Sequence, residues 1–323
     1  MIYLHDRHIL EMGIEWPRLI EIIENVVQIK AEGDCVHPLK PYLRFRNPGN
    51  RMIAMPAFVG GNVNMAGIKW IASYPNNVQL GLPRAQNTII LNDPATGEPA
   101  AFIHSGLLNA LRTAAVSGLM IKAFMAIRPP TKLRLGIIGW GPVGRNHLDM
   151  CASLLGDELE LITLYDLLPI DLDTIPEAVR GKTVIADDWR KVYRHSNILI
   201  TCTVSAQRYI DEPPGKGLLL LNVSLRDYRP ECLAKVQTIV VDDWQEVCRE
   251  NTDIEQMHLQ YGLIESDVLT LQDVICQGSL EAVNEEEPVF FNPMGLAVFD
   301  IGIAAFYLQE ARRLGRGFLL PHK

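Results

Sequence analysis

The sequence predicts an α/β fold in two parts: a doubly wound parallel sheet, and a discontinuous α+β domain built from both ends of the chain. Three observations carry this. Residues 133–138 are a short apolar run that enters the turn Gly139-Trp-Gly141-Pro142-Val143-Gly144, and Asp166 follows 22 residues after Gly144. Behind that turn, strand-type and helix-type segments alternate. In front of it lie more than a hundred residues with a different rhythm.

Taken in order, residues 17–31 place Leu19, Ile20, Ile23, Val26 and Val27 at helical spacing. Short β-type runs follow at 51–55, 65–72, 87–91 and 100–103, and Asn92 to Gly97 reads as a hairpin turn between the last two. A long helix runs from Ser105 to about Ile127 and is stopped by Arg128-Pro129-Pro130. Parallel strands are expected at 133–138, 159–165, 183–186, 197–203, 217–223 and 237–242, in the spatial order 3-2-1-4-5-6. The acidic stretch Glu285 to Pro288 reads as a linker, residues 289–295 lead onward, and a final amphipathic helix covers about 296–314. This helix is expected to return to the first domain. The domains are then 1–115 with 294–323, and 116–293, with a cleft between them.

The glycines have separate tasks. One turns the chain, one lets backbone approach a pyrophosphate, and one lets the helix pack close to the strand. An acid at the end of the second strand can hold both ribose hydroxyls and repels a 2′-phosphate. Gly139, Gly141, Pro142, Val143, Gly144 and Asp166 therefore predict a dinucleotide site with NAD favoured over NADP. In the same order, Thr203 ends the fourth strand near the nicotinamide, and Asn292 is placed to touch it.

A net charge of −8 argues against nucleic acid or an anionic membrane surface as partner. No apolar run is read as membrane-spanning, and the first residues lack a signal pattern, so a cytoplasmic protein is expected. Six scattered cysteines and eight histidines without ligand spacing predict no disulfide and no metal site. Cys202 reads as a packed thiol, and His104 and His147 as solvent or capping histidines.

Pro38-Leu-Lys40-Pro-Tyr-Leu-Arg44, Gly67-Ile-Lys69-Trp, Ile90-Leu-Asn-Asp-Pro94, Leu111-Arg112-Thr-Ala-Ala115 and the central glycine turn together resemble the ornithine cyclodeaminase/mu-crystallin family. The resemblance spans essentially the whole chain. The runs Val240-Val-Asp-Asp-Trp244 and Asn292-Pro-Met-Gly295 resemble a subgroup that oxidatively cleaves N-(2-amino-2-carboxyethyl)-L-glutamate. That subgroup supplies 2,3-diaminopropionate for siderophore and antibiotic biosynthesis. The resemblance implies an NAD-dependent oxidoreductase, a homodimer built through the first domain, and a small amino-acid substrate. Ornithine cyclodeaminase, alanine dehydrogenase or ketimine reductase activity, or a non-catalytic ligand-binding role, are the alternatives.

The polar residues are weighed two ways. Arg112 sits in an apolar helix and needs an anionic partner, so an internal salt bridge competes with a substrate carboxylate or cofactor phosphate. Lys69 interrupts an apolar strand, as a protective edge lysine or as an electrophilic, carboxylate-binding one. The resemblance selects the functional reading for both, and groups Arg44 with them around the α-carboxylate. A substrate with three carboxylates calls for more cations, and Lys40 and Arg84 are the choices. Thr113 and Ser224 join Arg112 and Thr203 as cofactor contacts. Asp227 follows a strand, where a carboxylate either caps a loop or faces the ligand crevice; the resemblance makes it the general base. Its setting, Ser224-Leu-Arg-Asp227, departs from the Gly-Gly-Asp of cyclodeaminases. Asp242 and Asp243 read as turn or cap residues.

Overall fold

A computed structural model describes residues 1–47, 49–129 and 132–321. The chain divides into two compact units, Met1–Arg112 with Gly295–Lys323, and Thr113–Met294.

The first unit is a mixed sheet with helices on one face. Its strands are β1 (Ile2–His5), β2 (Cys35–Val36), β3 (Tyr42–Arg44), β4 (Arg51–Val59), β5 (Met65–Ser73), β6 (Ala85–Asn92) and β7 (Pro99–His104). The order runs β1-β7-β6-β5-β4-β2, with Phe318–Leu319 beyond β1 and β3 also paired to β4. The expected meander is antiparallel from β4 to β7, and β1 adds to it in parallel. Strict alternation makes one face buried: Ile53, Met55, Ala57 and Val59 of β4 point inward, as do Asn87, Ile89 and Leu91 of β6. Helix α1 (Asp6–Met12), α2 (Trp16–Ala31) and the C-terminal helix Ala297–Leu314 belong to this unit, and the last packs on α2, β4 and β5.

Helix α3 (Gly106–Ile127) joins the two units in sequence. Pro130, one of its expected stops, lies outside the described residues. This helix corrects one expectation: its 22 residues are long and apolar enough to cross a membrane. Most of the apolar stretch is buried within the protein, with Leu108, Leu111, Ala114, Ala115, Leu119 and Met120 at the core, as in the central helix of a globular fold.

The second unit is an all-parallel sheet of β8 (Leu133–Ile138), β9 (Leu159–Tyr165), β10 (Thr183–Ile185), β11 (Ile198–Thr201), β12 (Leu219–Asn222), β13 (Thr238–Val241), β14 (Leu269–Thr270) and β15 (Val289–Phe291). The order is β10-β9-β8-β11-β12-β15-β13-β14. The expected 3-2-1-4-5 half is present. The expected neighbour of the fifth strand is not: β15 enters between β12 and β13. Val289-Phe-Phe, to which the sequence assigns no strand, is therefore a central strand. All three residues are fully buried, which suits a strand covered on both faces.

Candidate active site

In the first unit, Lys69 lies on the inward face of β5 and is fully buried. A bare ammonium there would be costly, so the sequence must supply acceptors. Asp300, the lone acid in the apolar run Ala297–Ala305, and Asn109 of α3 provide them. Lys69 Nζ donates to Asp300 Oδ1 at 2.8 Å and to Asn109 Oδ1 at 2.6 Å. Arg112 Nε donates to the same Asp300 oxygen at 2.9 Å. Arg112 thus makes the internal salt bridge that its apolar helix required. Lys40, also buried, donates from Nζ to Gly295 O at 2.8 Å.

One carboxylate, Asp300, answers two cations, Lys69 and Arg112, through a single oxygen. Burial pushes the Lys69 ammonium down to about 7; Asp300 opposes the fall, while Arg112 and Lys40 add to it. Burial alone would raise Asp300, but Arg112 and Lys69 pull it below the usual carboxylate range. Asp300 Oδ2 is buried and has no hydrogen-bond partner among the described residues. That oxygen can accept one more donated hydrogen bond.

The expected trio of Arg44, Lys69 and Arg112 is altered. Arg44 ends β3 and is exposed, with its guanidinium 5.1 Å from the centre of the Tyr42 ring. Cross-strand pairing sets it opposite Arg51, which in turn faces Ser73, four residues along β5 from Lys69. Lys40 takes the third place in the buried set. Arg84 is half-buried just before β6, and burial and the charge of Arg51 both lower its pKa.

In the second unit, Gly139 follows β8 with φ of +101°, and a Cβ there would stand 2.7 Å from the Cys202 carbonyl. A Cβ on Gly144 would stand 2.0 Å from Gly139 O, so this helix turn can press against the strand end only as glycine. Gly141, by contrast, faces open space and is the N-cap of α4 (Pro142–Leu155), without a side-chain cap. Pro142 starts the helix and Val143 continues it, so the first N–H groups are available to an anion. Asp166 Oδ2 accepts from Trp140 N at 2.6 Å, and Oδ1 from Leu168 N at 2.9 Å, which fixes the carboxylate beside the glycine turn. This cradle fits a dinucleotide.

Asp227 lies beyond β12 and is 1% exposed. Thr203 Oγ1 donates to its Oδ1 at 2.6 Å, while Ser224 Oγ and Tyr209 OH donate to Oδ2. Burial raises its pKa, and these hydroxyls hold the rise back. Its own backbone is pinned by a residue the sequence reading missed: Asp253 Oδ2 accepts from the N–H groups of Asp227 and Tyr228 and from Asn222 Nδ2. Asp253 Oδ1 takes Arg208 Nε at 2.6 Å. Leu225, in the turn between Ser224 and Asp227, has φ of +70°, a conformation glycine adopts without cost. Here the backbone is tied down instead, with Leu225 N on Asn222 Oδ1 and Leu225 O receiving Asp253 N.

Asn292 is fully buried at the end of β15; its Oδ1 receives Asn222 Nδ2, and its Nδ2 has no partner among the described residues. Thr113 is half-buried in α3. Asp243 caps a helix by accepting from Glu246 N, and Asp242 accepts from Met294 N. His147 corrects its expectation. It is fully buried, between Val143 O and Ser117 Oγ, and burial drives its pKa down to about 4. His104 is exposed, and burial raises the Cys202 thiol well above its ordinary value.

The family model of the ornithine cyclodeaminase/mu-crystallin family matches residues 5–313. N-((2S)-2-amino-2-carboxyethyl)-L-glutamate dehydrogenase from Staphylococcus aureus is 31% identical over 99% of this chain and 98% of its own. Among solved structures, Delta(1)-pyrroline-2-carboxylate reductase of Thermococcus litoralis, in complex with NADH and L-proline, superposes with a TM-score of 0.86 at 23% identity, covering 99% of this chain and 100% of that one. The crystal structure of CmnK superposes with a TM-score of 0.85 at 28% identity, covering 99% and 98%. The chain belongs to the ornithine cyclodeaminase/mu-crystallin family.

Proposed function

We propose that this protein oxidatively cleaves N-(2-amino-2-carboxyethyl)-L-glutamate to L-2,3-diaminopropionate and 2-oxoglutarate. It is an NAD-dependent oxidoreductase acting on the CH–NH group of an amino acid. The observation that carries the substrate reading is the buried pair Lys69 and Arg112, two cations that share one oxygen of a single carboxylate, Asp300. The 31% identical relative bears the name of a dehydrogenase of this substrate.

Each part of the chemistry has a residue for it. Lys69 and Arg112 hold the glutamate α-carboxylate, and Asn109 keeps Lys69 in place. Gly139, Gly141 and Gly144 with the start of α4 hold the pyrophosphate, and Asp166 holds the ribose. Bound there, NAD supplies the hydride acceptor for the glutamate Cα–H. Asp227 takes the proton from the secondary amine, so that loss of hydride and proton leaves an imine. The protonated Asp227 gives this proton back to the imine nitrogen and, ionised again, takes one from the water that adds to the imine carbon. The carbinolamine collapses, the C–N bond breaks, and the proton returns to the leaving amine. Thr203, Ser224 and Tyr209 aim the carboxylate throughout.

The test is stoichiometric. Purified protein with NAD and this substrate should release NADH and 2-oxoglutarate in equal amounts, with NAD preferred over NADP because of Asp166. Ornithine converted to proline without net NADH would overturn the reading in favour of cyclodeamination.

The protein also acts as a homodimer. Supporting this, Pro56, Ile68, Ile90 and Phe102 form a cross-strand row on the sheet face opposite Lys69, and all are only half-covered. Light scattering should give twice the chain mass of 36.2 kDa; a monomer at micromolar concentration would refute it.

A further inference from the structure

From Cys35 to Asn92 the chain contains no aspartate or glutamate, although its net charge is −8. The same stretch holds Lys40, Arg44, Arg46, Arg51, Lys69 and Arg84. Acids are thus absent from one region of a chain rich in them elsewhere, and the fold turns that segregation into a geometry.

In β5, Lys69, Ile71 and Ser73 alternate onto one face of the sheet. Ile71 pairs with Asn87 of β6, and Ser73 with Arg51 of β4 on one side and Ala85 of β6 on the other. Arg51 pairs onward with Arg44, so both side chains leave the sheet on the Lys69 face. Their guanidiniums share the Tyr42 ring, at 5.1 and 5.7 Å from its centre. Arg84 enters from the chain next to Ala85, with its carbonyl accepting from Tyr74 N at 2.8 Å. No carboxylate stands beside Arg84 among the described residues, and its nearest charged influence is Arg51, which repels it. Between the two ends, Asn87 is 3% exposed and its Oδ1 has no hydrogen-bond partner among the described residues.

We infer that Arg51 and Arg84, flanked by Arg44, form a second anion subsite that binds a distal carboxylate of the substrate, with Asn87 accepting a hydrogen bond from substrate nitrogen on the way. Four residues of strand separate Lys69 from Ser73, about 13 Å, and the long side chains at both ends reach inward across that span. An amino acid with a single carboxylate fills only the Lys69 end. A substrate with a second carboxylate farther along the carbon chain from its α-carbon, as in the γ-carboxylate of the glutamate half, reaches both. The inference rests on the substrate reading proposed above and extends it, because it makes the number of carboxylates the basis of selection. Guanidinium suits this task better than ammonium, since it stays charged when half-buried and grips a carboxylate with two parallel N–H groups.

Binding separates this idea from turnover. With the full-length protein and added NADH, calorimetry compares 2-oxoglutarate, which has two carboxylates, with 2-oxobutyrate, which has one. The wild type should prefer 2-oxoglutarate by roughly tenfold or more, the range for hydrogen bonds to charged groups. Arg51→Gln with Arg84→Gln should remove that preference and leave 2-oxobutyrate affinity within about twofold, while Arg84→Lys should retain part of it. A preference that survives the double variant, or a parallel loss for both ligands, overturns the subsite. Asn87→Ala gives a second reading free of charge change: it should weaken the nitrogen-bearing substrate more than 2-oxoglutarate, and equal effects count against the inference. If the dicarboxylate preference depends on the arginines but the proposed substrate yields no NADH, the subsite stands and the substrate assignment falls. If NADH is released and the preference ignores the arginines, the reverse holds.

Discussion

Asp227→Asn is expected to lose about 10²- to 10⁴-fold in kcat, the range for removal of a general base, while affinity for NAD stays unchanged. The substitution keeps shape and removes only the ability to hold a proton. Thr203, Ser224 and Tyr209 can rotate their hydroxyls to suit an amide, and the backbone N–H of Asp227 remains on Asp253. Asp166 is held by Trp140 N and Leu168 N, and Asp227 by Thr203, Ser224 and Tyr209, so cofactor affinity measured by fluorescence titration should be untouched. The pH profile adds an independent readout. Asp227 must be ionised to accept a proton, and burial raises its pKa above the ordinary 3.8. The wild-type kcat/KM should therefore fall as pH drops through a value above that of a free aspartate, and this limb should vanish in Asp227→Asn. Turnover within a few-fold of wild type, with the acid limb intact, would move the base to another group.

What the sequence made legible follows from where the determining interactions lie. The glycine turn, β8, β9 and Asp166 are close in sequence, and each glycine has a local steric reason. The long helices were readable from one-sided apolar spacing. The third cation of the buried cluster was legible only in part. Substrate charge alone points to Lys40, whereas its acceptor, Gly295 O, is 255 residues away. β15 was missed because three residues after an acidic run carry too little pattern; its place between β12 and β13 is fixed by pairing with two distant strands. His147 was misjudged because its two partners, Val143 O and Ser117 Oγ, satisfy it in a setting that spacing alone does not reveal. Asp300 was within reach. A lone charge in an apolar helix needs a partner, and this holds for Asp300 as it does for Arg112. Asp253 offered less: beside Thr252 it reads as an ordinary first-turn acid, and only the fold brings Arg208, Asn222 and the Asp227 backbone around it.

Asp300→Ala should destabilise the protein by about 3–5 kcal/mol, the cost of removing one partner from a buried ion pair. The carboxylate is fully buried and answers two cations through one oxygen. Removing it leaves Lys69 and Arg112 facing each other in an apolar interior, but the two can respond differently. Lys69 is already pushed down to about 7, and without Asp300 it sheds its proton more readily and becomes a neutral amine. Arg112 has no such escape, since a guanidinium does not deprotonate in this range. Most of the cost should therefore belong to Arg112. In the Asp300→Ala background, Arg112→Leu should recover more stability than Lys69→Met, as read from urea unfolding midpoints. Asp300→Asn provides a milder comparison: its carbonyl can still accept from Lys69 Nζ and Arg112 Nε, so hydrogen bonding survives and only the charge is lost. Its cost should fall between wild type and alanine. A change below about 1 kcal/mol for Asp300→Ala, the scale of an exposed pair, would mean that solvent reaches the two cations. An equal recovery from the two second-site changes would mean that Lys69 stays charged without its partner.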